Sequence, residues 1–141
     1  MPSFKKITVS VIVDSPLSRS WKAFTAPDSI VHWNFASNDW RCPTAINDLR
    51  VEGSFNYRME SKDGKAGFDF CGKYTNVIPE NRIDYVLEDN REVSVEFRAI
   101  GERTEAIETF DAEAQNSIDL QRAGWQAILN NFKNYVESNR A

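Results

Sequence analysis

A chain of 141 residues, 41% hydrophobic and 27% charged, has the length and apolar content to close one core. A formal net charge of −4, with no run of basic residues beyond Lys5-Lys6, argues against a phosphate-binding surface and so against a nucleic-acid partner. No stretch of about 18 apolar residues is present, which argues against membrane insertion, and Met1 to Lys6 leads into a strand pattern instead of a signal-peptide core, so a cytoplasmic protein is expected.

From Phe4 to Asp14, Ile7, Val9, Val11 and Val13 alternate with Lys6, Thr8, Ser10 and Ile12, the period of a half-buried strand. Asp14-Ser15-Pro16 stops it. Ser15 as cap and Pro16 at the first helical position predict a short helix burying Leu17, Trp21, Ala23 and Phe24. Thr25-Ala26-Pro27-Asp28 breaks that helix and starts a shorter one, with Ile30, Val31 and Trp33 apolar. Residues 36–47 are irregular, with room for a short strand around Asp39 to Cys42 ahead of Pro43.

From Leu49 the period is two again, with Leu49, Val51, Phe55, Tyr57 and Met59 on one face and an interruption at Gly53. Asp63-Gly64 supplies a hairpin turn, and Phe68, Phe70, Gly72 and Tyr74 return from it. A change of parity near Asn76 predicts a bulge. Turns at Pro79-Glu80-Asn81, Asp89-Asn90 and Gly101 then separate three strands carrying Ile83, Tyr85 and Leu87, then Val93, Val95, Phe97 and Ala99, then Ala106, Glu108 and Phe110. Connections this short make an antiparallel meander.

Asn116 to Glu137 closes the pattern as one long helix. Ile118, Gln121, Arg122, Trp125, Ile128, Leu129, Phe132 and Val136 recur at three- and four-residue steps, so the mainly apolar members share one stripe, while Asp119, Gln126, Asn130, Lys133 and Glu137 point away. Asn116 or Ser117 caps its start, and Asp119 suits the positive end of the helix dipole. The apolar stripe has to be covered by the sheet. The class is therefore α+β: one strand, two short helices, five or six antiparallel strands and a long C-terminal helix.

Several strings, in this order, resemble a known family: Val13-Asp14-Ser15-Pro16 with Trp21, Pro27, His32-Trp33, Asp48 to Phe55, Val77-Ile78-Pro79, and Gly124-Trp125 with Leu129. They are similar to the homologues of the activator of the heat-shock-protein-90 ATPase, within the START-like (SRPBCC) superfamily. The resemblance spans nearly the whole chain and implies a single START-like domain over residues 1–141. It also implies a helix-grip (START/Bet v 1-like) fold, a curved sheet of six to seven strands wrapped around the C-terminal helix with a cavity between. Where members carry Asp before the proline of the second short helix, this chain has Ala26, leaving the cap to Thr25 or solvent. The superfamily includes lipid carriers, cyclases, hormone receptors and co-chaperone domains, so its fold does not select a function.

With the helix over the sheet, Phe55, Tyr57, Met59, Phe68, Phe70, Tyr74, Tyr85, Phe97, Phe110, Trp125, Leu129 and Phe132 either wall a ligand cavity or fill the core; residue type suits both. Glu108 shares parity with Ala106 and Phe110. In that register its carboxyl points inward and desolvation raises its pKa; in the other, Ile107 and Thr109 turn inward and Glu108 faces water. A tyrosine beside it would supply the pair needed to orient a carbonyl or transfer a proton. Trp33, with His32 and Trp40, falls at the mouth, as gate or plug. Cys42 and Cys71 lack metal or redox spacing, and the lone His32 rules out a multi-histidine zinc site.

The expected function is binding of a hydrophobic small molecule between sheet and helix, with no cofactor or metal. The expected ligand-binding residues are Trp33, Phe55, Tyr57, Phe70, Tyr74, Tyr85, Glu108, Trp125, Leu129 and Phe132. Two alternatives stand beside it. One is a cyclase- or hydrolase-type enzyme using Glu108, the one catalytic candidate, and a tyrosine; the other is a chaperone-partner domain stimulating the heat-shock-protein-90 ATPase. Open strand edges leave room for a homodimer.

Overall fold

The structure, a computed structural model, describes residues 5–138; Phe4, expected in the first strand, lies outside the described residues. The order is β1 (Lys6–Val13), α1 (Leu17–Thr25), α2 (Pro27–Ile30), β2 (Trp40–Asn47), β3 (Ser54–Ser61), β4 (Gly67–Ile78), β5 (Arg82–Leu87), β6 (Glu92–Ile100), β7 (Arg103–Asp111) and α3 (Ile118–Ser138). The strands form one antiparallel sheet in the order β1-β7-β6-β5-β4-β3-β2. Five successive hairpin-type connections carry the chain from β2 to β7, and β1 closes the far side against β7. The sheet curls into a half-barrel around α3, the helix-grip arrangement.

The alternation in β1 holds along its whole length: Ile7, Val9, Val11 and Val13 are buried and the residues between them exposed. β7 follows the same rule, with Thr104, Ala106, Glu108 and Phe110 all inside. Glu108 is therefore inward, paired across to Val9 on β1 and Val95 on β6. The parity change near Asn76 is a bulge at Thr75, since Tyr74 faces Tyr85 while Asn76 faces Asp84.

Four local expectations change. In place of a short segment around Asp39 to Cys42 there is a full eight-residue strand, Trp40–Asn47, that runs through Pro43. It is tolerated because β2 is the outer strand and its register shifts between Arg41 and Thr44, where proline's missing N–H leaves no ladder bond unmade. Leu49 and Val51 are not in a strand. The chain turns tightly there: Arg50 N–H donates to Asp48 O at 2.9 Å, Gly53 N–H to Arg50 O at 2.8 Å, and Glu52 has φ 70°. A Cβ at residue 53 would lie 2.2 Å from Asp48 O, so glycine marks the turn and not a break within a strand.

Ser15 does not cap α1. Its N–H closes a turn onto Val13 O at 2.8 Å, its carbonyl accepts from Thr104 Oγ1 at 2.8 Å, and Pro16 in extended conformation becomes the capping residue one position later. Thr25 does not cap α2 either, because its hydroxyl bonds back to Trp21 O at 2.9 Å. At α3, by contrast, Ser117 Oγ accepts from Leu120 N–H at 3.1 Å.

α3 packs most closely on β1 and α1, through Leu129, Phe132 and Val136, each at most 2% exposed. Gln121 sits in the same stripe and is buried because its amide is satisfied: Nε2 donates to Asn116 O at 2.9 Å and Oε1 accepts from Glu113 N–H at 2.8 Å. Across β3, β4 and β5 the gap to α3 is bridged by aromatic side chains, and this is where space remains. No described helix is long and apolar enough to cross a membrane.

Candidate functional site

The space is a cavity of about 240 Å³ between the sheet and α3. β3 contributes Phe55, Tyr57 and Met59; β4 contributes Phe68, Phe70 and Tyr74; β5 contributes Ile83 and Tyr85; and β7 contributes Glu108. Trp125 and Ile128 of α3 form the roof, while Phe24 and Thr25 of α1 and the following Trp33 and Asn34 close one end. These side chains meet because inward positions of adjacent antiparallel strands stand side by side, as Tyr57 with Phe70 and Tyr74 with Tyr85. Phe68 is half exposed and pairs with Trp40 at 6.0 Å between ring centroids, which puts the mouth at that end.

The rings hold one another. Phe55 lies 4.8 Å from Tyr57 and 4.9 Å from Tyr85, the second contact edge-on. Phe55 can reach this position because Gly72 stands directly opposite it. A Cβ there would be 2.8 Å from the phenyl ring.

Of the ten expected ligand-binding residues, Trp33, Phe55, Tyr57, Phe70, Tyr74, Tyr85, Glu108 and Trp125 line the cavity. Leu129 and Phe132 do not. They turn toward α1 and β1, where Phe132 packs edge-on against Phe24 and Trp33, so these two belong to the core. Phe97 and Phe110 are core as well, buried against Trp21 and Trp125. Trp33 is both wall and plug: it is 4% exposed, with Nε1 donating to Ala23 O at 3.0 Å. His32 lies outside on the surface, stacked on Tyr135. Arg41 and Arg50 are tied to Glu60 and Asp48 at the surface.

Two polar groupings face the space. In one, the Tyr57 hydroxyl bonds to Tyr74, the Tyr74 hydroxyl donates to Asn47 Oδ1 at 2.5 Å, and Asn47 Nδ2 donates to Thr25 O at 2.8 Å. Burial pushes the Tyr74 phenol up to about 12 and the Tyr57 phenol well above its ordinary range. The other grouping is Glu108 with Tyr85. Glu108 is 7% exposed, and burial pushes its carboxyl up to about 8. The Tyr85 phenol is raised well above its ordinary value by burial, then by the charge on Glu108. At neutral pH all four groups are therefore uncharged.

Periodicity did not reveal Thr25, Asn34, Asn47 or Arg91, all of which line the cavity. They sit at element ends and turns, where no repeat identifies an inward position. Arg91 follows Asp89-Asn90 in a turn and is held by Asp89 at 2.7 Å. Phe24 and Ile128 were visible only as members of helical stripes. Among the described residues no three His, Cys, Asp or Glu side chains gather into a metal-binding group.

The family model described as Activator of Hsp90 ATPase homolog 1-like protein matches residues 14–137. The chain is similar to the solution structure of the AHSA1-like protein from Aeromonas hydrophila, with 43% identity, a TM-score of 0.89, and coverage of 95% of this chain and 93% of that one. It is equally similar in sequence to a protein from Cytophaga hutchinsonii, at 43% identity and a TM-score of 0.82 over 95% and 93% of the two chains. A protein from Chromobacterium violaceum shares the fold alone, with a TM-score of 0.84 at 18% identity over 94% and 98% of the chains. No protein of curated function matches this chain.

Proposed function

Because the chain belongs to the Activator of Hsp90 ATPase homolog 1-like family, whose fold leaves a space under the last helix, we propose that it binds a compact, mainly apolar small molecule in that space. The observation carrying this reading is the cavity of about 240 Å³ itself. Space of that size, walled mainly by rings, is packing that the fold forgoes. That it is left open beneath the last helix, with polar residues in its lining, supports a use.

The volume also bounds the occupant. Drug-sized ligands occupy pockets of about 300–1,000 Å³. A cavity of about 150 Å³ holds benzene, so this one suits a molecule of roughly ten non-hydrogen atoms. In this reading residues 1–141 act as one START-like domain. The cytoplasm is its compartment, supported by two free thiols, Cys42 and Cys71. A homodimer through an open edge has less support, because the bulge and Pro43 blunt β2.

The test is titration with cumene, an apolar probe of nine non-hydrogen atoms, followed by amide NMR shifts. Shifts at Phe70, Tyr85 and Trp125 that vanish in Ile128→Trp, which fills the roof, are expected. Shifts scattered over the surface, or unchanged in the filled variant, would overturn the reading.

The family description supports a second reading, an Hsp90-associated domain. It predicts a rise in Hsp90 ATP turnover on adding this chain, and an unchanged rate would remove it. An acid–base enzyme would use Glu108 and Tyr85; it requires a chemical change in a bound compound that Glu108→Gln abolishes while binding persists.

A further inference from the structure

The carboxyl of Glu108 and the hydroxyl of Tyr85 both face the cavity, and among the described residues neither has a hydrogen-bond partner. Buried polar groups are usually paired within the fold, and these two open onto the cavity instead. Here both line one cavity, Glu108 from β7 and Tyr85 from β5 with β6 between them, close enough for a charge on Glu108 to raise the Tyr85 phenol, and Phe55 touches Tyr85. Resting on the binding reading above, we propose that the ligand is an uncharged carbonyl compound whose oxygen accepts hydrogen bonds from Glu108 and Tyr85 while its apolar body lies against Phe70 and Trp125.

The groups around the site decide the head group. A protonated carboxyl and a phenol are both donors, and a carbonyl oxygen has two lone pairs to receive them. A carboxylate ligand would have to leave water for a cavity walled by rings. Its nearest cation, Arg91, is already paired with Asp89 at 2.7 Å. An ammonium ligand would meet that same Arg91 on the cavity wall. A ligand without a polar atom would leave both donors unmade.

Every element packed around Glu108 leaves its titration to burial. β1 and β6 present Val9 and Val95 across from it, and α3 presents Trp125 and Ile128 to the cavity. The remaining titratable groups there are Tyr57, Tyr74 and Tyr85, with Arg91 the one charged side chain in the lining. Glu108 is thus an acid below about pH 8 and a carboxylate above it.

The experiment compares three probes of equal size and different heads: acetophenone, cumene and benzoate. Acetophenone is expected to bind the wild type about tenfold more tightly than cumene at pH 6.5, the worth of one or two hydrogen bonds to buried donors. Benzoate is expected to bind weakest. Raising the pH to about 9.5 should abolish the acetophenone preference in the wild type. Glu108→Gln should keep it at both pH values, because the amide still donates, and Glu108→Leu should lose it at both. Tyr85→Phe should lose part of it. Equal affinity for acetophenone and cumene, or a preference surviving in Glu108→Leu, would overturn the anchor while leaving the binding cavity intact. Tightest binding by benzoate would replace the carbonyl with an anion and overturn the proposal. Binding by none of the three would remove the cavity as a ligand site, and the anchor with it.

Discussion

The indole of Trp125 lies flat on the ring of Phe110, with centroids 3.9 Å apart and planes 11° from parallel. Phe110 is fully buried on β7, so the stack fastens the middle of α3 to the sheet at one margin of the cavity. On its other side the indole meets Phe70 edge-on at 6.1 Å. One residue thereby couples packing to the height of the cavity roof.

Trp125→Ala should cost about 3 kcal/mol in urea unfolding, since it removes a large aromatic group and enlarges an existing void. Cumene affinity should fall at least tenfold. Trp125→Phe keeps a ring on Phe110 and should recover most of both. A Trp125→Ala protein of unchanged stability would show that the stack contributes nothing.

Glu108 sets a pH dependence of opposite sign to ordinary salt-bridged carboxylates. Its carboxyl is pushed from 4.5 up to about 8 in the fold by burial. Between these values the folded state holds a proton that the unfolded chain has lost, so stability falls as pH rises. The slope is at most about 1.4 kcal/mol per pH unit. Glu108→Gln should flatten the decline between pH 5 and 8 and be the more stable protein by a few kcal/mol at pH 8. Denaturant midpoints measured across that range check it, and a wild type whose stability is level from pH 5 to 8 would refute it.

Gly72→Ala tests the ring over glycine. The added methyl would meet Phe55 at 2.8 Å and Val86 O at 3.0 Å, so the phenyl must swing toward the cavity. A loss of about 1–3 kcal/mol is expected from the overpacking, together with weaker cumene binding as Phe55 takes up ligand space. Thermal unfolding and the NMR titration report the two effects separately.

Ser15→Ala separates two readings of the α1 boundary. A capping serine replaced by alanine costs about 1 kcal/mol. In the structure Ser15 Oγ is buried without a hydrogen-bond partner, so deleting it removes a desolvation cost and should stabilise by about 1 kcal/mol. A drop in the unfolding midpoint would restore the capping role.

How much of the site was legible depends on whether a residue lies in a periodic element. The pairs Tyr57–Phe70 and Tyr74–Tyr85 follow from two-residue alternation on joined strands, and the inward Glu108 follows from its parity with Ala106 and Phe110. Leu49 and Val51 carried the same alternation into a turn, because parity does not register a chain that folds onto itself at Gly53. Asn47 and Arg91 entered the cavity from a strand end and a turn, beyond the reach of any period.

By itself the sequence determined the order of elements, the inward face of β1 and β7, and the stripe that makes α3 lie on the sheet, because each depends on residues near one another in the chain. Whether that stripe touches core or cavity was decided only in three dimensions. Trp125 and Leu129 are four residues apart on the same helix face, yet Trp125 borders the space and Leu129 is buried beside α1 and β1. The difference arises because α3 packs most closely on β1 and α1, while across β3 to β5 the gap is left to side chains from distant strands. Those side chains do not fill it completely, and the volume that remains is a sum over the whole fold that no local pattern contains.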